Sequence, residues 1–403
     1  MTESKNMESN DSETLDSPFG NYTLQRIPDT QKGGLRAWDS ADELLLQTLF
    51  TEHKQLLENA IDASNPILII NDTFGALTVA LNTCSVDSWS DSYLSHLATQ
   101  KNIGINNLKA KPTFILATQL LTNDYALVIL KIPKTLALLE DQLYRLKPHI
   151  SAKSIIIASA MSKHIHTSTL KLFEKIIGTT TTSRATKKAR LLFCKNDNTD
   201  KQVSPYPKTI IVPEFDLKLL NHANVFSQNH LDIGTRFFLE HLKDCPQAQH
   251  IIDLGCGNGA LGIIAQRLQP DASLSFIDES YMAVDSAKQS YLLNGYKQQA
   301  NFVVSNGFDL YSLLDQQAPL KQDQINKADL ILCNPPFHQA HSMGDHTAWQ
   351  MFKQSMQHLN FKGELWVIGN RHLAYHIKLK KLFGNCRTIA SNKKFVLLAS
   401  HKR

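Results

Sequence analysis

Several classes of protein are excluded by what this sequence lacks. It has no run of eighteen apolar residues, so no membrane-spanning helix is expected. Its first twenty residues carry five acids (Glu3, Glu8, Asp11, Glu13 and Asp16) against Lys5. A secretion signal needs basic residues ahead of an apolar core, so this is not one. Residues 1–20 are instead expected to form a disordered acidic tail. The six cysteines, Cys84, Cys194, Cys245, Cys256, Cys333 and Cys386, form no CxxC pair. Neither a disulfide framework nor a metal site is expected, and reduced thiols in a cytoplasmic protein are the simplest account. A large charge imbalance is also missing, the net charge being +5. The small excess is uneven, however. Residues 151–210 hold 11 Lys/Arg against three acids, and residues 371–403 hold nine against none. Two basic segments on a nearly neutral remainder suggest a surface that faces a polyanion, or simply a solvated basic face.

What is present begins with Ile251-Ile252-Asp253-Leu254-Gly255-Cys256-Gly257-Asn258-Gly259-Ala260-Leu261. Two β-branched residues enter an acid, three glycines follow at every second position, and an apolar helical segment comes next. This is a buried strand, a tight turn and a helix start. Glycine permits left-handed backbone and close approach of a ligand, and the helix N-terminus adds free N–H groups.

Strand–helix alternation runs through the whole chain and implies an α/β protein with parallel sheets. Strands are expected at Asn21–Pro28, Pro66–Asn71, a short one ending near Asp87, Thr113–Leu116, Tyr125–Leu130 and Ser154–Ser159. Ser40 with Glu43 reads as a capping box opening a helix. Residues 194–208 read as a linker. Thr209–Val212 and Leu217–Leu220 suggest a hairpin, followed by strands at Ile251–Asp253, Leu274–Asp278, Asn301–Val304, Asp329–Cys333, Glu364–Gly369 and Lys394–Ala399.

The two halves repeat one another. Thr73-Phe74-Gly75-Ala76-Leu77 aligns with Gly257-Asn258-Gly259-Ala260-Leu261, and Val86-Asp87-Ser88 with Ile277-Asp278-Glu279. Leu130-Lys131-Ile132-Pro133-Lys134 aligns with Cys333-Asn334-Pro335-Pro336-Phe337. Two tandem doubly wound Rossmann-like domains are therefore expected, over residues 21–193 and 209–403. Where the second has Asp253, Gly255 and Gly257, the first has Ile69, Asn71 and Thr73; Asn334 and Phe337 both become lysine. The first is expected to be a degenerate, non-catalytic copy.

Gly255-x-Gly257-x-x-Ala260 alone admits NAD or FAD. Asp253-x-Gly255-x-Gly257-x-Gly259 is better matched to S-adenosylmethionine (SAM), with Asp253 holding the cofactor's ammonium through its neighbours. Asp278, at the end of the next strand, sits where a carboxylate holds a ribose diol, or it caps a helix. Asn306 reads equally as an adenine neighbour or a turn residue. Asn334-Pro335-Pro336-Phe337 follows a strand at the sheet's carboxyl edge. The Asn334 side-chain oxygen and the Pro335 carbonyl suit the two hydrogens of an exocyclic amine. Pro336 stiffens the loop, and Phe337 offers a stacking face. Phe226-Ser227 and Leu231-Asp232-Ile233-Gly234-Thr235-Arg236 precede the glycine strand, as a helix start or as a lid.

The second half resembles the class I SAM-dependent methyltransferases that modify exocyclic amines, through Asn334-Pro335-Pro336-Phe337-His338 and Gly363-Glu364-Leu365. The whole chain resembles the bacterial ribosomal RNA guanine-N2 methyltransferases. Asn370-Arg371-His372-Leu373, Lys378–Cys386 and Ser391-Asn392-Lys393-Lys394-Phe395 resemble the large-subunit (23S) member in particular, with the 16S enzyme as the near relative. The resemblance implies an inactive N-terminal copy, SAM as cofactor, and the stretch Phe226 to Thr235, with Gly234, as part of its pocket. It implies methyl transfer to guanosine N2 in 23S rRNA, held in part by the basic segments. The motif by itself also admits adenine N6 or a protein amide as acceptor. A SAM-retaining, non-catalytic assembly factor and a dehydrogenase are the readings from other classes.

Overall fold

The computed structural model describes residues 13–27, 35–62, 64–200, 202–297, 300–309, 327–336 and 343–403. The chain divides after Ser204 into two units, each with its own hydrophobic core.

The first unit opens with a hairpin, β1 (Glu13–Ser17) and β2 (Gly20–Leu24), followed by helices α1 (Ser40–Glu52) and α2 (Lys54–Asn59). Seven strands follow: β3 (Ile67–Ile70), β4 (Val86–Ser90), β5 (Thr113–Leu116), β6 (Leu127–Lys131), β7 (Ile155–Met161), β8 (Thr180–Thr182) and β9 (Ala189–Cys194). Helices α3 (Ala76–Ala80), α4 (Tyr93–Ile105), α5 (Leu136–Leu146) and α6 (Thr167–Ile176) connect them. The spatial order is β5-β4-β3-β6-β7-β9-β8, with the last two strands antiparallel.

The second unit opens with β10 (Lys208–Val212) and β11 (Leu217–Asn221), the expected hairpin, and then α7 (Ile233–His241). Its strands are β12 (His250–Leu254), β13 (Ser273–Asp278), β14 (Asn301–Val304), β15 (Ala328–Cys333), β16 (Leu359–Asn370), β17 (Arg387–Ser391) and β18 (Phe395–His401). Helices α8 (Ala260–Leu268), α9 (Tyr281–Leu293), α10 (Met343–His358) and α11 (Tyr375–Phe383) cover the two faces. The order β14-β13-β12-β15-β16-β18-β17 repeats the first sheet strand for strand.

Side-chain alternation sets the faces. Ile251 and Leu330 point into the core shared with α7 and α8, while Ile252 and Ile331 point into the core beneath α10 and α11. By the same period of two, Asp253 and Asn334 belong to the α7–α8 face. The chain reverses its winding between β12 and β15, so the crevice at their carboxyl ends is where an open α/β sheet binds ligands.

Four expectations need correction. Residues 13–20 are not tail, because Leu15 is fully buried and β1 pairs with β2 through Leu15 opposite Tyr22. Their acidic composition hid alternate apolar residues that pack on the first core as the second hairpin packs on its own; residues 1–12 lie outside the described residues. The cap of α1 is Asp39, one residue before Ser40, and Asp42 rather than Glu43 closes the capping box. Glu43 instead meets Arg36, Trp38 and Lys187. Residue Asp87 is not the counterpart of Asp278. The strands place Trp89 opposite Ile70 and Ile277 opposite Leu254, so Ser90 matches Asp278. Finally, the antiparallel strands β8, β9 and β17 were absent from the strand pattern; the edge strand β8, Thr180-Thr181-Thr182, has no apolar run to mark it.

Candidate active site

The glycine turn separates into two functions. Gly255, Gly257 and Gly259 all have left-handed backbone (φ 72°, 53° and 82°). A Cβ on Gly259 would press on Ala287 and Phe276, at 3.0 and 3.1 Å. This glycine is required by helix packing. Its counterpart Gly75 (φ 78°) is kept in the first unit, where a Cβ would strike Thr99. A Cβ on Gly257 would meet nothing within 4 Å, and one on Gly255 only the tip of Met351 at 3.2 Å and the Asn334 carbonyl oxygen at 3.9 Å. Gly257 therefore lines open space, and Gly255 is crowded only by the end of a flexible side chain. Their counterparts in the first unit are Thr73 and Asn71. Asn71 preserves the left-handed turn (φ 63°), but its amide fills the space by exchanging hydrogen bonds with Gln142 and donating to the Lys131 carbonyl.

The two acids also differ in role. Asp253 is buried, and its Oδ2 accepts from Gly262 N at 2.8 Å, satisfying a first-turn N–H of α8. Burial pushes its carboxyl up to about 8, partly offset by the Gly262 bond and reinforced by the Asp278 charge. In the first unit Asp72 performs this capping on Thr78. Asp278 accepts from Gly257 N and Ser280 N, each at 3.0 Å, which ties the carboxylate to the glycine turn. Desolvation raises its pKa, and these N–H bonds oppose the rise. In the first unit Ser90 takes over one of these bonds, accepting from Ser92 N.

At the end of β15 the Asn334 amide donates from Nδ2 to Thr235 Oγ1 at 2.9 Å. Thr235 in turn reaches Asp232 Oδ2, with its backbone N–H at 2.9 Å and its hydroxyl at 3.3 Å. The Asn334 Oδ1 is buried without a protein partner. A buried acceptor left unpaired is costly, and this one sits just past the carboxyl end of β15, beside the glycine turn. Pro335 is buried beside it and Pro336 is exposed; Phe337 lies outside the described residues.

The remaining expected residues are more dispersed. Gly234 is buried on α7, where a Cβ would crowd Asp232 and the Phe395 ring, so its glycine has a packing reason. Asn306 follows β14 and donates to Asp309 Oδ2 at 3.1 Å, closing a turn. Phe226 stands 55% exposed ahead of α7. Gly262 and Met351 were not singled out from sequence, and Asp232 only as one member of the stretch ahead of the glycine strand. Of these, Asp232 carried a usable signal, an acid at an N-cap three residues before a threonine. Among the described residues no cluster of His, Cys, Asp or Glu could hold a metal, and no helix is long and apolar enough to cross a membrane. The open cradle at Gly257, the carboxylate of Asp278 and the unpaired oxygen of Asn334 together fit SAM with an amine acceptor beside it.

The fold and site define a methyltransferase domain, and residues 216–399 match the methyltransferase small domain family. Residues 12–198 match the RLMG N-terminal domain. The chain is 43% identical to the ribosomal RNA large subunit methyltransferase G of Stutzerimonas stutzeri over 96% of this chain and 99% of that one. It is 44% identical to the protein of the same name from Pectobacterium atrosepticum, over 95% and 96%. The chain belongs to this ribosomal RNA large subunit methyltransferase G family. In fold it is similar to a T. Thermophilus 16S rRNA N2 methyltransferase solved with AdoMet and guanosine. That match has a TM-score of 0.72 over 97% of this chain and 98% of the other, at 16% identity.

Proposed function

We propose that the protein transfers a methyl group from SAM to the exocyclic N2 of one guanosine in 23S rRNA. Family membership supports the rRNA substrate and the large subunit over the small. The observation that carries the chemistry is the buried, unpartnered Asn334 Oδ1 at the carboxyl end of β15. SAM supplies an already activated methyl group, so no metal or strong base is needed. In this reading the cofactor lies on the turn at Gly255 and Gly257 and Asp278 takes its ribose; the open space at Gly257, the tie of Asp278 to that turn and the Asp253 bond to Gly262 support it.

An exocyclic amine is a weak nucleophile because its lone pair is shared with the ring. Asn334 Oδ1 and the Pro335 carbonyl accept its two hydrogens, which aims the nitrogen's lone pair at the methyl carbon. Phe337 stacks the base. Catalysis comes mainly from this positioning. The target guanosine must be unpaired or flipped out, since N2 is engaged within a helix. The first unit and the basic segments 151–210 and 371–403 hold RNA backbone; Arg184, Lys187 and Lys188 in the first and Arg371, Lys380, Lys381, Lys393 and Lys394 in the second are exposed. An rRNA substrate implies action in the cytoplasm.

Asn334→Ala tests the assignment. It is expected to abolish N2-methylguanosine in 23S rRNA, read by mass spectrometry of mapped rRNA fragments, while SAM still binds. Methylation at the wild-type rate would remove the amine-holding role. Loss of the modification from 16S rather than 23S rRNA in a deletion strain would reassign the substrate.

A further inference from the structure

We infer that Thr235 and Asp232 are positioning residues that orient the Asn334 side chain, so that its oxygen rather than its NH2 faces the acceptor amine. An asparagine amide can be turned over with little change of shape, and only one orientation can accept hydrogens from an amine. The bonds around Asn334 select it. Asp232, as a carboxylate, can only accept, and it takes both the Thr235 backbone N–H and the Thr235 hydroxyl hydrogen. With that hydrogen committed, Thr235 Oγ1 is left to accept, and Asn334 Nδ2 donates to it. Oδ1 is then the amide atom left without a partner, and it is buried. The Asp232 bond also fixes the start of α7 as its N-cap, which holds Thr235 at the third helical position.

The first unit supplies an independent check on the direction of these bonds. Its α1 begins with N-cap Asp39 and carries Asp42 at the third helical position, matching Asp232 and Thr235. Strand pairing places Lys131 where the second unit has Asn334: Leu130 lies opposite Ile70, as Cys333 lies opposite Leu254. Lys131 Nζ donates to Asp42 Oδ2 at 2.7 Å and lies 2.6 Å from Oδ1 in the same ion pair. Lysine can only donate and an aspartate only accept, so the residue on the strand donates to the helix in both copies. The degenerate copy kept that polarity and lost the spare acceptor, which is what distinguishes an amine-holding residue from a structural one.

This inference rests on the proposed role of Asn334, and the test separates the two. In the full-length protein, Thr235→Val keeps the side-chain shape and the capped backbone N–H but removes the acceptor. It is expected to lower kcat for rRNA methylation by about tenfold to a hundredfold, the scale of a misplaced reacting group. SAM affinity, measured by calorimetry, should stay within about twofold, and Thr235→Ser should stay within about threefold of wild type in kcat. If Thr235→Val melts below the assay temperature, Thr235→Ala takes its place with the same expectation. The inference is overturned if kcat is unchanged, if SAM binding weakens by as much as kcat falls, or if the serine variant is as impaired as the valine one. Wild-type methylation by Asn334→Ala would overturn the amine-holding role itself, and the Thr235 argument with it.

Discussion

Replacing Lys131 with methionine should destabilise the first unit while leaving the methyl-transfer site intact. Lys131 and Asp42 form a buried ion pair, with the Asp42 side chain fully inaccessible and that of Lys131 16% exposed. Burial works against the Lys131 charge, yet the Asp42 carboxylate more than compensates and holds its pKa above the ordinary value. Removing one partner of a buried pair costs about 3–5 kcal/mol, because the other charge is stranded. Asp42 keeps one bond, from Asp39 N at 3.0 Å, so the lower end, about 3 kcal/mol, is expected. That is roughly a hundredfold change in an opening equilibrium, at about 1.4 kcal/mol per decade. Hydrogen exchange measured by mass spectrometry reads it locally, with β3 and β6 exchanging about a hundredfold faster and β12 and β15 serving as internal reference.

The sign with pH follows from Asp42, whose pKa burial already raises. A carboxyl raised in the folded state folds best when neutral. The Lys131→Met penalty should therefore be smallest near the ordinary carboxylate range and grow as pH rises towards 8. Replacing both partners by apolar residues, as Asp42→Leu with Lys131→Met, should recover most of the loss. A change below tenfold at pH 8, or equal acceleration in both units, would refute the assignment of a buried pair confined to the first unit.

Two further outcomes test the glycine turn and its acid. Gly257→Ala should cut SAM affinity with a loss of only about 1–2 kcal/mol in stability, since its cost is left-handed backbone alone. Gly259→Ala adds a clash with Ala287 and should lower the melting temperature more; equal effects on both readouts would contradict the division. For Asp253, the folded pKa near 8 means the folded state holds its proton more tightly than the unfolded chain. Wild-type stability is then lost as pH rises from the carboxylate range towards 8. The melting temperature of Asp253→Asn, taken relative to wild type without cofactor, should rise between pH 5 and pH 8. A pH-independent difference would show that the buried carboxyl does not titrate there.

Much of this protein is legible along the chain because the decisive signals are local. Left-handed turns favour glycine, so Gly75 and Gly259 mark equivalent helix starts in both halves, and Asn71 and Thr73 mark where the first half departs from the glycine turn. Asn334-Pro335-Pro336 stands out by composition and by its place after an apolar strand. Register is another matter. Pairing Asp87 with Asp278 looked sound by residue type but was three positions out, because only the hydrogen-bonded ladder fixes which residues end their strands together. The first hairpin was hidden for a similar reason: Leu15, Tyr22 and Leu24 are ordinary residues in a polar stretch until a core exists to bury them.

The sequence by itself determined the duplication, the decay of the first copy and the candidate asparagine, since each can be read from short motifs and their repetition along the chain. Only the tertiary structure decided how that asparagine is oriented. Thr235 and Asn334 are 99 positions apart, and what brings them together is the side-chain alternation of β15 meeting the capped first turn of α7.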